Sequence, residues 1–267
     1  LRFDAVLLSI DGRSEITNYY RGAKVYERVV NAAKWLRSNG FKNDLIARMT
    51  VSELSDIYLD VTHLLSLGLF DHVHWQLNVI WSDSWESFDD WCERSYLPGI
   101  RRLMELWIKE ARKGRVLGIV PFLSILKAMI KDERLDCPPC GAGVNSVAIS
   151  TNGDILACPI AVDVRWANLG NILRNSRTEV INKVKIGEPC LSCGYLRYCG
   201  GRCLYAHIER FWGESGFKKV CRLTMSLIDE LAEIKDEVLS LLEKGVISLE
   251  DVEYPVSYTH LTLPTKA

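Results

Sequence analysis

The stretch 190-CLSCGYLRYCGGRC-203 sets four thiols in the spacing C-x2-C-x5-C-x3-C. Upstream, Cys140, Gly153 and Cys158 form C-x12-G-x4-C, and Cys221 follows Cys203 after seventeen residues. A disulfide scaffold or a lone zinc finger does not need seven thiols in this order, but a pair of iron–sulfur clusters does. Each cluster draws four thiolates onto one cube of iron and sulfide. The pair Cys190–Cys193 supplies two from one tight turn, and nearby glycines can turn backbone N–H groups toward the sulfurs. Cys199 and Cys203 serve one cluster if the chain between them is helical, or two if it reverses at Gly200-Gly201. Zinc also accepts four thiolates in C-x2-C spacing, so spacing alone leaves two structural zinc sites open.

The bulk numbers fit that picture. The chain has 267 residues, enough for one large domain or one with a small companion. Apolar residues make up 48%, so the thiols need not compensate for a missing core. A net charge of −1 without blocks of like charge argues against nucleic acid as the main partner. No run of eighteen apolar residues is present, so no membrane span is expected. Nine cysteines without a secretion signal favour a reducing, cytoplasmic setting and metal ligation over disulfides. The chain starts at Leu1, and 256-VSYTHLTLPT-265 reads like the translation of a sequencing adapter. We therefore expect a gene fragment cut at both ends, with residues 256–267 non-native and His260 excluded with them.

Ahead of the cysteines the grammar is strand–helix. Residues 3–11 read as a buried strand turning polar at Ser9 and Asp11. A helix over Tyr26–Ser38, a strand over 45–52, a helix over Ser55–Ser66 and a strand over 72–80 follow. Helices over 85–96 and 99–113, interrupted at Pro98-Gly99, lead to a fourth strand at Val116–Pro121 and a helix over Phe122–Lys131. Such alternation predicts an α/β fold with a parallel sheet or barrel. Three or four units make an incomplete barrel, and a six-stranded one needs roughly 90 more residues upstream. After Asp136 the pattern changes. Ser146–Ser150 and Asp154–Cys158 alternate around Thr151-Asn152-Gly153, a hairpin signal, and Val220–Lys244 reads as a long amphipathic helix. The boundary falls near 136, giving domains 1–136 and 137–255.

Strand alternation also sorts side chains by face. His72, His74, Gln76 and Asn78 share one face of the third strand; Arg48, Thr50 and Ser52 give a second polar face, and Ser9 with Asp11 a third. Polar residues near the C-terminal ends of such strands usually meet ligand. Asp11 is expected to cap the next turn, Arg21 to hold a loop, and His74 and Gln76 to contact cofactor or substrate. Cys92, beside Trp91, reads as a small buried hydrophobe.

The full thiol pattern resembles the SPASM domain, the C-terminal module of many radical SAM enzymes. The resemblance implies two interleaved auxiliary [4Fe-4S] clusters. Cys190, Cys193, Cys199 and Cys221 match the ligands of the second. Cys140, Cys158 and Cys203 match three ligands of the first, and Cys137 stands where an extra cysteine often completes it. The segment from Ser9 through Asp83 resembles, more weakly, strands four to six of a radical SAM barrel, with SIDG at Ser9–Gly12 followed by YYRG at Tyr19–Gly22, and the resemblance covers most of residues 1–130. By that resemblance Ser9 meets the ribose of S-adenosylmethionine and Arg48 its carboxylate, where a planar guanidinium gives bidentate geometry.

The C-x3-C-x2-C loop that holds the SAM-cleaving cluster is missing: Cys199 and Cys203 have the first spacing, but position 206 is alanine. The resemblance implies that a third cluster lies upstream, that the parent uses a 5′-deoxyadenosyl radical to modify a peptide or protein side chain, and that this fragment alone is inactive. It further implies an electron donor such as flavodoxin or ferredoxin. Pro159 stands where sulfatase-maturing relatives carry an acidic residue after the G-x4-C cysteine, which favours another peptide modification. Arg197 and Arg202 lie close enough in sequence to tune the clusters. The alternative is a non-catalytic, metal-stabilised peptide-binding module; a third reading, an electron-transfer protein, does not need a polar-lined barrel.

Overall fold

The computed structural model describes residues 3–79 and 83–253; the suspected tail at 256–267 and the end of the strand expected to reach residue 80 lie outside them. The chain divides into two compact units, one of Leu1–Lys131 with Arg222–Tyr254, the other of Asp132–Cys221. The division departs from the expected boundary near 136 by a few residues, and it groups the helix beyond Arg222 with the first unit.

In the first unit, β1 (Ala5–Ser9), α1 (Ser14–Arg21), α2 (Val25–Ser38), β2 (Asp44–Val51), α3 (Ile57–Ser66) and β3 (His72–Leu77) alternate along the chain. The strands form one parallel sheet in the order β1-β2-β3. This is the α/β architecture with a parallel sheet that the alternation predicts. Leu45, Ile46 and Ala47 are all fully buried, so the first half of β2 is covered on both faces; Met49 and Val51 are buried while Arg48 and Thr50 are not. The sheet is thus apolar at its base and one-sided toward its C-terminal edge. Each fully buried Leu, Ile or Met side chain stabilises by about 1.5–3 kcal/mol, which fixes the register, since a slip of one residue would turn the Arg48 face inward.

Two expectations need correction. The fourth strand at Val116–Pro121 is reduced to a parallel bridge between Val73 and Ile119, with the Val73 N–H donating to the Gly118 carbonyl at 2.8 Å. Helix α6 (Val120–Ile130) begins where the strand would end, with Pro121 in its first turn. Proline cannot donate to a ladder but suits a helix start, so the helix claims the residue. The second correction concerns Pro98-Gly99, which does not interrupt the helices. From α4 (Phe88–Trp91) the chain passes through a π turn at Cys92–Tyr96 straight into α5 (Leu97–Ala111). The wider turn lies just ahead of a proline that cannot make the ordinary helical bond and whose ring crowds the carbonyl four residues back. Cys92 is buried there. Helix α1 was not foreseen.

In the second unit, β4 (Ala148–Ile149), β5 (Asp154–Leu156) and β6 (Asn168–Asn171) form an antiparallel sheet. The first two are the expected hairpin, and β6 adds a third strand. Short helices α7 (Arg177–Val180), α8 (Leu196–Cys199) and α9 (Leu204–Glu209) follow. Helix α10 (Gly213–Glu243) starts earlier than Val220, and α11 (Leu249–Val252) closes the described chain. In the first unit, α5 and α10 are linked by Arg101–Glu230 and Arg112–Glu237, both at 2.6 Å. No described helix is long and apolar enough to cross a membrane.

Candidate metal centres and cofactor face

All nine cysteines are reduced, and eight of them lie in the second unit. Their mutual electrostatics divide those eight into two sets. Burial pushes the Cys158 thiol up to about 12, and Cys203 and Cys140 add to the shift; Cys137 is raised by burial first, with Asp136 and Cys140 contributing. The other set is Cys190, Cys193, Cys199 and Cys221. Burial pushes Cys190 up to about 11, helped by Cys221, Cys199 and Cys193. Cys199 is raised by burial and by Cys193 and Cys221; Cys221 is raised by burial, with Cys193 adding and Arg202 and Arg210 opposing. Thiols this reluctant to ionise are protonated at neutral pH, so any metal that binds them must displace protons.

Between Cys199 and Cys203 the backbone is not helical. Helix α8 ends at Cys199, and Gly200, Gly201 and Arg202 all take left-handed conformations, with φ of +57°, +76° and +63°. The chain reverses there before Cys203 caps the start of α9. A β-carbon on Gly200 would lie 2.1 Å from the Cys137 carbonyl oxygen, so glycine is needed for this loop to pass the Cys137 segment. Nitrogen donors reach sulfur here: Asn145 Nδ2 lies 3.5 Å from Cys137 Sγ, the Gly201 N–H donates to Cys199 Sγ at 3.4 Å, and the Ile160 backbone bonds Cys158.

His207, which the sequence reading passed over, meets the second set. The Gly187 N–H donates to His207 Nε2 at 2.9 Å, and His207 Nδ1 lies 3.6 Å from Cys190 Sγ. Burial, then Arg210, holds this imidazole below its ordinary pKa. The signal was present as an i, i+4 step from Cys203 on a short helix. Of the two arginines expected near the clusters, Arg202 lies by the second set, whereas Arg197 pairs with Asp132 and stacks on Tyr198.

Four thiols per set is the donor complement of a [4Fe-4S] cube. Among the described residues, no three His, Cys, Asp or Glu side chains stand close enough to share one metal ion. A cube joins each thiolate to a different iron and accepts a wider ring of sulfurs than one tetrahedral zinc, whose bonds of about 2.3 Å draw its ligands together. By donor chemistry, four thiols per set match the ligand count of such a cube.

The second candidate site is on the parallel sheet of the first unit. Ser9 pairs in register with Arg48, Arg48 with His74, and Thr50 with Gln76. Ser9, Arg48 and His74 thus form one row across three strands, and Arg48 Nη2 donates to Gln76 Oε1 at 2.7 Å. All four residues expected to bind cofactor are on this face. His74 Nδ1 is sealed from water and lacks a hydrogen-bond partner among the described residues; desolvation, then the Arg48 charge, pushes its pKa down to about 3. An orphaned buried nitrogen beside a guanidinium, a hydroxyl and an amide fits a polar ligand with a carboxylate, as S-adenosylmethionine is. His72, on the same face, is paired instead with Asp44 at 2.7 Å. Asp11 and Arg21 hold the adjoining loop, Arg21 donating to both carboxylate oxygens.

Comparison with known proteins gives three findings. The chain is 26% identical over 217 residues to the mycofactocin maturase MftC of Mycobacterium ulcerans (strain Agy99), covering 75% of this chain and 56% of that protein; it therefore spans just over half that relative's length. Its fold is similar to native anSMEcpe with bound AdoMet, at a TM-score of 0.66 and 16% identity over 90% of this chain and 68% of that one. A further structure, native anSMEcpe with bound AdoMet and Kp18Cys peptide, matches at a TM-score of 0.65 and 16% identity, over 90% and 69%. No family model matches the chain.

Proposed function

We propose that the chain belongs to a radical SAM enzyme with a SPASM domain that modifies a side chain of a peptide or protein; its similarity to the mycofactocin maturase MftC and, in fold, to anSMEcpe with bound AdoMet supports this reading. Residues 1–136 are read as the C-terminal part of a partial (β/α)6 barrel and 137–255 as the auxiliary-cluster domain. The observation that carries the proposal is the gathering of eight ordered thiols in the second unit.

When bound, S-adenosylmethionine together with a reduced cluster supplies the 5′-deoxyadenosyl radical that such chemistry uses. The chain's own residues bind and orient. Arg48 offers a planar donor pair to the cofactor carboxylate, and its bond to Gln76 fixes the guanidinium. Ser9 offers a hydroxyl to the ribose at the end of β1. Neutral His74 presents an uncommitted Nδ1 to the same ligand or to substrate. Cys137, Cys140, Cys158 and Cys203 hold one auxiliary cluster; Cys190, Cys193, Cys199 and Cys221 hold the other. Clusters held by these thiols would supply an electron acceptor or a wall of the substrate site, and Arg202 lends the second set positive charge that favours its thiolates. A flavodoxin or ferredoxin is the fitting electron donor. The relative named a maturase and the neighbour bound to a peptide support a peptide or protein substrate.

Anaerobic reconstitution tests the reading. Uptake of about eight irons per chain, four per cube, with matching acid-labile sulfide and an absorbance shoulder in the blue, is the expected result. Colourless protein, or protein loaded with zinc alone, overturns it.

A further inference from the structure

We propose that His207 donates a hydrogen bond to the Cys190 sulfur and thereby raises the reduction potential of the second auxiliary cluster. The inference rests on the reading of Cys190, Cys193, Cys199 and Cys221 as ligands of one cluster.

The tautomer is fixed by the backbone. A main-chain N–H can only donate, so His207 Nε2, 2.9 Å from the Gly187 nitrogen, must offer its lone pair. In the neutral ring the proton is then on Nδ1, the atom 3.6 Å from Cys190 Sγ. Its neighbours restrain the ring. His207 is on α9 with its own N–H bonded to the Cys203 carbonyl at 2.9 Å, it packs edge-on against Phe217 at 5.9 Å between centroids, and it is 6% exposed. A rigid, desolvated donor aimed at a ligand sulfur withdraws electron density from it. The reduced cluster carries one more negative charge than the oxidised one, so the donor stabilises the reduced state more. The first cluster has no such partner in His207: Cys203 caps the helix that carries the ring, but the imidazole points to Cys190.

Two substitutions separate this role from a structural one. Asparagine places its Nδ2 near the position of the ring Nδ1 and loses the acceptor for Gly187. Glutamine places its Oε1 near the position of Nε2, keeps that acceptor and loses the donor. Iron is counted first in anaerobically reconstituted wild-type chain; absence of iron there defeats the cluster assignment, and the proposal with it. With both clusters loaded, redox titrations followed by electron paramagnetic resonance compare wild type, His207→Asn and His207→Gln. The expected result is that one of the two midpoints moves negative in His207→Gln, the other stays, and His207→Asn remains near wild type. Unmoved midpoints in His207→Gln, or an equal shift in His207→Asn, overturn the proposal while leaving the clusters in place. Should either variant fail to load, wild-type protein labelled with 15N-histidine provides the measurement. Pulsed resonance of the reduced clusters should detect a histidine nitrogen coupling, and its absence overturns the proposal.

Discussion

Arg21 grips Asp11 with two parallel hydrogen bonds, Nε to Oδ2 at 2.6 Å and Nη2 to Oδ1 at 2.7 Å. The carboxylate is 2% exposed and also accepts from the Thr50 N–H at 2.8 Å. One side chain therefore ties the turn after β1 both to the end of α1 and to the edge of β2. This is the physical reason that SIDG and YYRG occur as a pair: the aspartate of the first needs the arginine of the second.

Breaking that pair from one side leaves a buried charge without its partner. Arg21→Met should destabilise the chain by about 3 kcal/mol, at the lower end for a buried ion pair because the arginine is partly exposed. Asp11→Asn/Arg21→Met should lose markedly less than the two single changes added together, since the stranded charge is gone. Urea denaturation of the four proteins checks both statements. Additive losses would show that the two residues act independently.

Gly12 supplies a second test of the same loop. Its φ is +108°, and a β-carbon there would lie 2.4 Å from Asp60 Cβ. Asp60 is fully buried, holds Arg13 through its side chain at 2.8 Å and accepts from the Asp56 N–H at 2.9 Å, so it cannot move aside. Gly22 has a similar φ of +102° but nothing within 4 Å. Gly12→Ala should destabilise more than Gly22→Ala by about 1–3 kcal/mol, the range for overpacking beyond shared backbone strain. Equal losses would show that the contact with Asp60 is soft.

His74 makes stability depend on pH. Its folded pKa is pushed down to about 3, whereas the unfolded chain binds the proton near 6.5. Between those values the unfolded state holds more protons, so the contribution is fully present above about pH 6.5 and is lost as pH falls toward 3, at up to about 1.4 kcal/mol per pH unit. Denaturation midpoints of wild type and His74→Gln should diverge at pH 7 and converge toward pH 4, with the variant less sensitive to acid. Parallel curves would show that the imidazole is hydrated in solution.

Much of this arrangement was legible because it follows short-range rules. Period-two alternation placed Arg48, His74 and Gln76 on one face, and parallel pairing then had to align Ser9, Arg48 and His74. The resemblance to the SPASM domain implied the members of both sets, whereas the non-helical path from Cys199 to Cys203 depends on three consecutive left-handed residues at Gly200–Arg202, which glycine content suggests and arginine does not. The missing fourth strand and the continuous helix through Pro98 failed for a common reason. In each case a proline marked the start of a helical run where the pattern suggested a break, and tertiary packing chose the helix. His207 escaped notice because its meaning depends on Gly187 and Cys190, one twenty and the other seventeen residues away.

The partition of the thiols makes the sharpest statement about assembly. If each set holds one cube, losing any member should remove or convert one cluster, and losing a second member of the same set should remove no more. Cys158→Ala and Cys190→Ala should each leave about four irons per chain. Cys190→Ala/Cys221→Ala should match Cys190→Ala, whereas Cys158→Ala/Cys190→Ala should leave almost none. Cys137→Ala should alter one Mössbauer subspectrum, since the first set then lacks its fourth sulfur, and Cys92→Ala should change nothing. Loading should also be more complete at higher pH, because burial holds Cys158 up to about 12 and Cys190 up to about 11, and each ligand must shed its proton to bind. Iron and sulfide analysis across this series decides the matter: a within-set double variant that loses both clusters would mean that the eight sulfurs serve one shared assembly.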